Sequence, residues 1–325
     1  MALRFYTKLV VLSTAVLIFA GGLVTSTGSG LSVPDWPNTY GWNMFLFPLD
    51  KMVGGIRYEH SHRLIASTVG FLILVLAVWL WRAEPRQGVR RLGYIALAAV
   101  VTQGILGGIT VLWYLPDPIS IAHASLAQIV FCLTVTIALL VSRGWADERR
   151  MPVRDPLLQR LTVATTAWIY VQILIGATMR HTDAGLAIPD FPLAFGHLVP
   201  PSWDAKIAIH FAHRVGAVVA SALIAAAAGH VLYHHRRHRE LVRPSILLLV
   251  LLAAQVTLGA YTILTAKHYI INSLHVVTGA SVLATSLVLT LRTHRARLTA
   301  ALPSSSTATA PQSGIAHGAK AGARA

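Results

Sequence analysis

Gly30-Leu-Ser-Val-Pro-Asp-Trp-Pro37 returns 155 residues later as Gly185-Leu-Ala-Ile-Pro-Asp-Phe-Pro192, and a glycine follows each copy, Gly41 or Gly196. Three further matches keep the same order. His62-Arg63 pairs with His213-Arg214 at an offset of 151. Gln103-Gly-Ile-Leu-Gly-Gly-Ile-Thr-Val-Leu112 pairs with Gln255-Val-Thr-Leu-Gly-Ala-Tyr-Thr-Ile-Leu264 at 152, and His123 pairs with His275, again at 152. Four matches at nearly one spacing identify a tandem repeat, so the fold is one unit built twice.

Each unit is apolar enough to need lipid. The 325 residues are 55% hydrophobic and only 12% charged, with a mean hydropathy of +0.61. A water-soluble protein of this length carries more charge on its surface. Eight apolar runs lie at about 8–26, 59–81, 92–113, 119–142, 160–178, 207–233, 245–265 and 270–291. Each is near the roughly 20 residues that cross a bilayer as a helix. The expected fold is an all-α integral membrane protein with eight transmembrane helices, arranged as two parallel, pseudo-symmetric four-helix bundles. Four spans per unit is an even number, so both units enter from the same side and are related by an axis along the membrane normal. The halves are expected at 1–143 and 160–293, joined by a cytoplasmic linker at 144–159. The segment 294–325 lacks apolar periodicity and reads as a disordered cytoplasmic tail.

The net charge of +15 is distributed as a membrane protein requires. With the N-terminus inside, the inner segments hold twenty lysines and arginines, including Arg82, Arg86, Arg90 and Arg91 and the group Arg236, Arg237, Arg239 and Arg243. The outer segments hold five: Lys51, Arg57, Arg180, Lys206 and Lys267. This positive-inside bias predicts a multi-pass protein of the cell membrane with both termini cytoplasmic, and it removes the case for nucleic acid as a partner. Arg63 and Arg214 remain, inside apolar runs. Cys132 is the only cysteine and lies in an apolar run, where it reads as a small packing residue; no intramolecular disulfide is possible. The first run is short enough to pass for a signal peptide, but its recurrence mid-chain argues against cleavage. The segment 27–57 is rich in aromatics (Trp36, Tyr40, Trp42, Phe45 and Phe47) and reads as a cap at the outer interface, with Pro-Asp-aromatic-Pro as a rigid turn.

Ionisable groups within membrane spans point to function by default. His62 and His123 fall near the outer ends of the second and fourth runs, and His213 and His275 occupy the same places in the sixth and eighth. One histidine on each of two helices in a half suits a large planar cofactor such as heme, whose iron takes axial imidazoles. A zinc or copper site asks for more ligands or closer spacing. For a single histidine a hydrogen bond in the core would be the simpler explanation; two pairs in register favour heme. Glu59 stands three residues before His62 on the same helical face, placed either as a general base or as a solvated helix-end acid or partner to the ligand. The second half has His210 there instead, so the pockets are chemically unequal. Arg63 and Arg214 are candidates for pairing with heme propionates, or alternatively for snorkelling to the interface. His60 points about 200° from His62 on an ideal helix and should not share its pocket. His234, His235 and His238 lie in a basic inner loop and read as solvated, with metal binding the lesser alternative.

These residues resemble the heme A synthase family, over roughly residues 5–293. The resemblance rests on Thr25-Ser-Thr-Gly-Ser-Gly-Leu-Ser-Val-Pro-Asp-Trp-Pro37, Glu59-x-x-His62-Arg63 and His123, and on Thr182-Asp-Ala-Gly-Leu-Ala-Ile-Pro-Asp-Phe-Pro192, His213-Arg214 and His275. It implies an oxidoreductase that converts a ring methyl of heme O to a formyl group, giving heme A for terminal oxidases. It implies that His213 and His275 are axial ligands of a resident heme b, that His62 and His123 bind substrate heme O, and that Glu59 matches the family's important acid. It also implies heme O synthase as the delivery partner and a quinone or other carrier as electron acceptor. Some members carry a cysteine pair in the first outer loop; this chain has none between 27 and 57. The competing expectations are a non-enzymatic di-heme electron carrier of the b-cytochrome type and a heme exporter or chaperone. Heme O synthase itself is disfavoured, because its aspartate-rich Mg²⁺-binding motifs are missing.

Overall fold

The computed structural model describes residues 1–146 and 153–301. In hydrocarbon, a backbone must satisfy its own N–H and C=O groups, so long apolar runs close into helices. Among the described residues, eight helices are long and apolar enough to cross a membrane. They are α1 (Ala2–Ser26), α2 (Gly54–Ala83), α3 (Gln87–Leu112), α4 (Asp117–Leu140), α6 (Pro156–His181), α7 (Ala205–His234), α8 (Arg239–Leu264) and α9 (Tyr269–Thr293). Two short helices, α5 (Arg143–Ala146) and α10 (Arg295–Ala301), accompany them, and no strand forms among the described residues. The expected all-α, multi-pass membrane architecture is what the chain adopts.

The helices start before the apolar stretches, and at α6 and α7 an aspartate cap sets the start. Asp155 accepts from Leu158 N at 2.9 Å and Pro156 takes the first helical position, so α6 starts within the expected linker. Asp204 does the same for α7, accepting from Ile207 N at 2.7 Å. In α8 the start lies before Pro244, which has no N–H to offer the Glu240 carbonyl one turn back. The Arg292 guanidinium from α9 donates to that carbonyl instead, so the proline is accommodated. At the other extreme, Arg295–Ala301 of the expected tail is helical as α10, built from good helix formers; residues 302–325 of that tail, like residues 147–152 of the expected linker, lie outside the described residues.

Packing makes two four-helix rings. In the first, α1 contacts α2 and α4, and α3 contacts α2 and α4; α6 to α9 repeat this pattern. The rings meet where α4 and α9 touch, flanked by α1 on α9 and α6 on α4. Val10, Val69, Ile73, Leu76, Leu80, Val89 and Ile137 fill the first ring. Ile169, Ile224, Leu248, Val282 and Leu283 fill the second, with Cys132 packed at its edge. Ile18, Phe131, Ala280 and Ala284 form the seam between them. A hydroxyl ladder adds to the α6–α9 contact: Thr166 lies 2.7 Å from Ser286 and 2.8 Å from Thr290. Such interhelical bonds hold helices together where lipid offers no hydrophobic drive.

The connecting loops repeat as faithfully as the helices. Asp35 accepts from Tyr40 N and Gly41 N at 2.8 Å each, and Asp190 accepts from Phe195 N and Gly196 N at the same distances. Gly41 and Gly196 both have φ of 76°, a conformation that favours glycine. Trp36 lies over Gly108 so closely that a Cβ there would come 2.6 Å from its ring; the second half has Phe191 and Ala260 at these positions. Of the loop aromatics, Phe47 is buried, while Trp36, Tyr40, Trp42 and Phe45 stay exposed.

Burial raises the Asp35 carboxyl, but the Gly41 and Tyr40 amides and the Arg63 charge outweigh it and hold it below the usual range. The Gly196 and Phe195 amides likewise lower Asp190. A lowered carboxyl contributes stability that is present above its unfolded value, about 3.9, and is lost as pH falls through the folded value. Both turns are therefore expected to hold from neutral pH down to about 4. Amide-exchange protection at Tyr40, Gly41, Phe195 and Gly196, followed against pH, checks this; protection already lost near pH 6 would contradict it.

Candidate functional site

The four histidines sit in register. His62 and His213 are each the ninth residue of their helices, α2 and α7, and His123 and His275 are each the seventh of α4 and α9. Each imidazole lies against a glycine of the preceding helix. A Cβ built on Gly21 would come 3.1 Å from His62 Cε1, and one on Gly107 would come 3.1 Å from His123 Cε1. In the second half the distances are 2.9 Å from Gly176 to His213 and 3.1 Å from Gly259 to His275. Real Cβ contacts are rarely this close, so glycine gives each ring its place.

The rings' own hydrogen bonds are incomplete. His62, His123 and His275 each have a buried Nδ1 without a hydrogen-bond partner. A buried polar atom left so costs about 1–3 kcal/mol, which a protein seldom tolerates three times at matching positions without a use for it. His213 differs: Gln172 Nε2 lies 3.0 Å from its Nδ1 and donates to its carbonyl at 2.7 Å. Gln255 Nε2 lies 3.3 Å from His275 Nε2, whereas Gln103 reaches only the His123 carbonyl, at 2.9 Å. Glutamine amides thus touch both rings of the second pair. Nitrogens on facing helices, cradled by glycines, fit a flat iron macrocycle.

Glu59 and the two arginines do structural work beside the first and second pairs. Glu59 Oε2 accepts from Val33 N at 2.8 Å, and its Oε1 pairs with Arg63 at 2.7 Å in a nearly dry ion pair. Arg63 also donates to the carbonyls of Asp35, Asn38 and Val33, pinning the loop to α2. Arg214 mirrors it, donating to Leu193, Ile188 and Asp190. The NH1 and NH2 groups of both are engaged by loop carbonyls, so both arginines anchor their loops. Position 210 keeps the hydrogen bond of position 59: His210 Nδ1 accepts from Ile188 N at 3.2 Å. It does not keep the negative charge. His60 faces away, as its helical angle predicts, with Thr39 Oγ1 3.0 Å from its Nδ1 and the Phe47 ring at 5.0 Å.

The glycine seats escaped the reading of the sequence. Gly107 and Gly259 lie inside a matched stretch, and Gly21 and Gly176 share the offset of the loop motif, 155 residues. Aligning the halves from the histidines outward would have exposed them.

A family model described as cytochrome oxidase assembly protein matches residues 46–287, a span that contains His62, His123, His213 and His275. Heme A synthases are similar over most of the chain. That of Geobacillus kaustophilus is 30% identical over 307 residues, covering 92% of this chain and 95% of its own. That of Symbiobacterium thermophilum is 31% identical over 273 residues, 81% and 87% of the two chains. That of Shouchella clausii is 29% identical over 257 residues, 78% and 84%. The chain belongs to the heme A synthase family. In this setting the glycine seats make a direct prediction. Gly176→Leu forces a side chain against His213, an overpacking of about 1–3 kcal/mol, and should lower retained heme about ten-fold or more. Gly70→Ala, which has nothing within 4 Å, should leave it unchanged. Heme per chain by pyridine hemochrome is the measurement.

Proposed function

We propose that this protein is a heme A synthase: it oxidises a ring methyl of heme O to a formyl group and so provides heme A for terminal oxidase assembly. The observation that carries this is the likeness to heme A synthases across nearly the whole chain, joined to four histidines seated in register on glycines. His62 and His123 are assigned to substrate heme O. His213 and His275 are assigned as axial ligands of a resident heme b, a choice supported by the glutamine amides at both rings of that pair. Polar partners to ligand imidazoles fix ring orientation and tune the metal, as a permanent site requires. When bound, heme b supplies a redox-active iron able to accept electrons, with a quinone or another carrier beyond it.

The protein's own contribution is position, dryness and charge. Packed helices exclude water, and the loop pinned by Arg63 closes the histidine-bearing end of the first ring. Glu59 is the only acid on α2, one turn before His62. Held by Val33 N–H and Arg63, it places a fixed negative charge beside the substrate pair, suited to oppose positive charge developing on the substrate and to take up a proton. The equivalent His210 keeps the loop in place without that charge, which suits a site where no methyl is oxidised. Delivery of heme O by heme O synthase, and an orientation in the cell membrane with both termini in the cytoplasm, complete the proposal. The orientation rests on the arginine-rich end of the bundle.

Co-expression with a heme O synthase, followed by heme extraction, tests the activity. Heme A should appear; accumulation of heme O with no hydroxylated heme or heme A would leave the di-heme electron carrier as the better reading. Glu59→Gln keeps an acceptor for Val33 N–H and removes the charge. It should lower heme A formation by about 10²–10⁴-fold with the resident heme spectrum unchanged; loss of heme b as well would assign Glu59 a structural role only. His213→Ala and His275→Ala should each remove the resident heme, and a normal low-spin spectrum in both would overturn that assignment.

A further inference from the structure

At the end of the bundle opposite the histidine pairs, three side chains from distant parts of the sequence converge. His230 Nε2 and His235 Nε2 both lie 2.8 Å from Asp155 Oδ2. One oxygen, one nitrogen and a second nitrogen thus fall within 4.8 Å of one another. The second carboxylate oxygen is engaged elsewhere, since Asp155 Oδ1 caps α6 through Leu158 N. All three side chains are largely shielded, at 15–19% exposure. A fourth imidazole, His234, is exposed, and its ring centre lies 4.4 Å from that of His230.

We propose that Asp155, His230 and His235 form a site for one divalent late first-row metal ion of the zinc class, separate from the heme sites. Two imidazole nitrogens and one carboxylate oxygen are a zinc donor set, with water or His234 free to complete a tetrahedron. With metal–ligand bonds of about 2.0–2.1 Å in a tetrahedron, each nitrogen needs to part from the Asp155 oxygen by only about half an ångström from its present 2.8 Å. The ligands come from the N-cap of α6 (Asp155) and from the end of α7 and its C-cap (His230 and His235), so the ion ties the start of one helix to the end of the next. The site belongs to one half alone. The residues at the positions of His230 and His235 in the first half are Trp79 and Glu84. There Trp79 packs on Tyr6 with ring centres 5.4 Å apart, and Glu84 pairs with Arg86 at 2.6 Å. Arg236, Arg237 and Arg239 nearby disfavour a cation, so affinity must come from the ligand bonds rather than from charge.

The test uses the full-length, heme-loaded protein in detergent, purified without a histidine tag. It is equilibrated with Zn²⁺, passed through a desalting column and assayed for zinc, iron and protein. About one zinc per chain should be retained in addition to the heme iron, and Co²⁺ in its place should give the intense visible bands of a tetrahedral site. The double variant His230→Gln/His235→Gln should lose the retained metal with heme per chain unchanged. No retained zinc in the parent, or equal retention in the double variant, overturns the proposal. Should the double variant lose its heme through misfolding, Asp155→Asn decides. Asparagine still caps α6, so heme should stay while Zn²⁺ affinity falls at least ten-fold; unchanged affinity overturns the proposal.

Discussion

The whole arrangement depends on a contact between an imidazole and a backbone that carries no side chain. At Gly21, Gly107, Gly176 and Gly259 the neighbouring histidine comes closer than a Cβ normally tolerates. This sets the spacing of α1 on α2, of α3 on α4, and of their counterparts. It also limits each ring's freedom before any cofactor arrives, since the glycine seats it on one side. Small residues at helix contacts are the usual means of close approach in lipid; here the room they leave is filled by an ionisable ring rather than by another backbone.

On this common frame the two halves differ in only a few chemical details, and those details carry the functional asymmetry. Glu59 and His210 accept the same loop amide, from Val33 and Ile188 respectively, so the loop is anchored alike in both. The difference is a charge. Gln172 touches His213, whereas the residue at its position in the first half is Leu17. One half therefore has a carboxylate, paired with Arg63, beside histidines with few polar contacts; the other has an imidazole in its place, beside histidines braced by amides.

The repeat, the eight spans and the histidine pairs were legible in the sequence because each is a pattern of spacing or hydropathy. The uses of the polar groups were not. That Arg63 and Arg214 anchor loops is invisible in sequence, since nothing local shows that the Asp35 and Asp190 turns fold back to present carbonyls to them. Hydropathy also misses helix starts where the Asp155 and Asp204 caps place them before the apolar run. In sequence His235 belongs to a basic loop; its meeting with Asp155 spans 80 positions and arises from the packing of α6 on α7.

The two rings are joined in one chain, with α4 and α9 at the junction. In a dimer of identical subunits every substitution appears twice, so an acid gained at one site is gained at both. Fusion lifts that restriction. A single codon can alter position 59 and leave position 210 untouched, so one site is free to acquire chemistry while its twin keeps only the ability to hold a ligand.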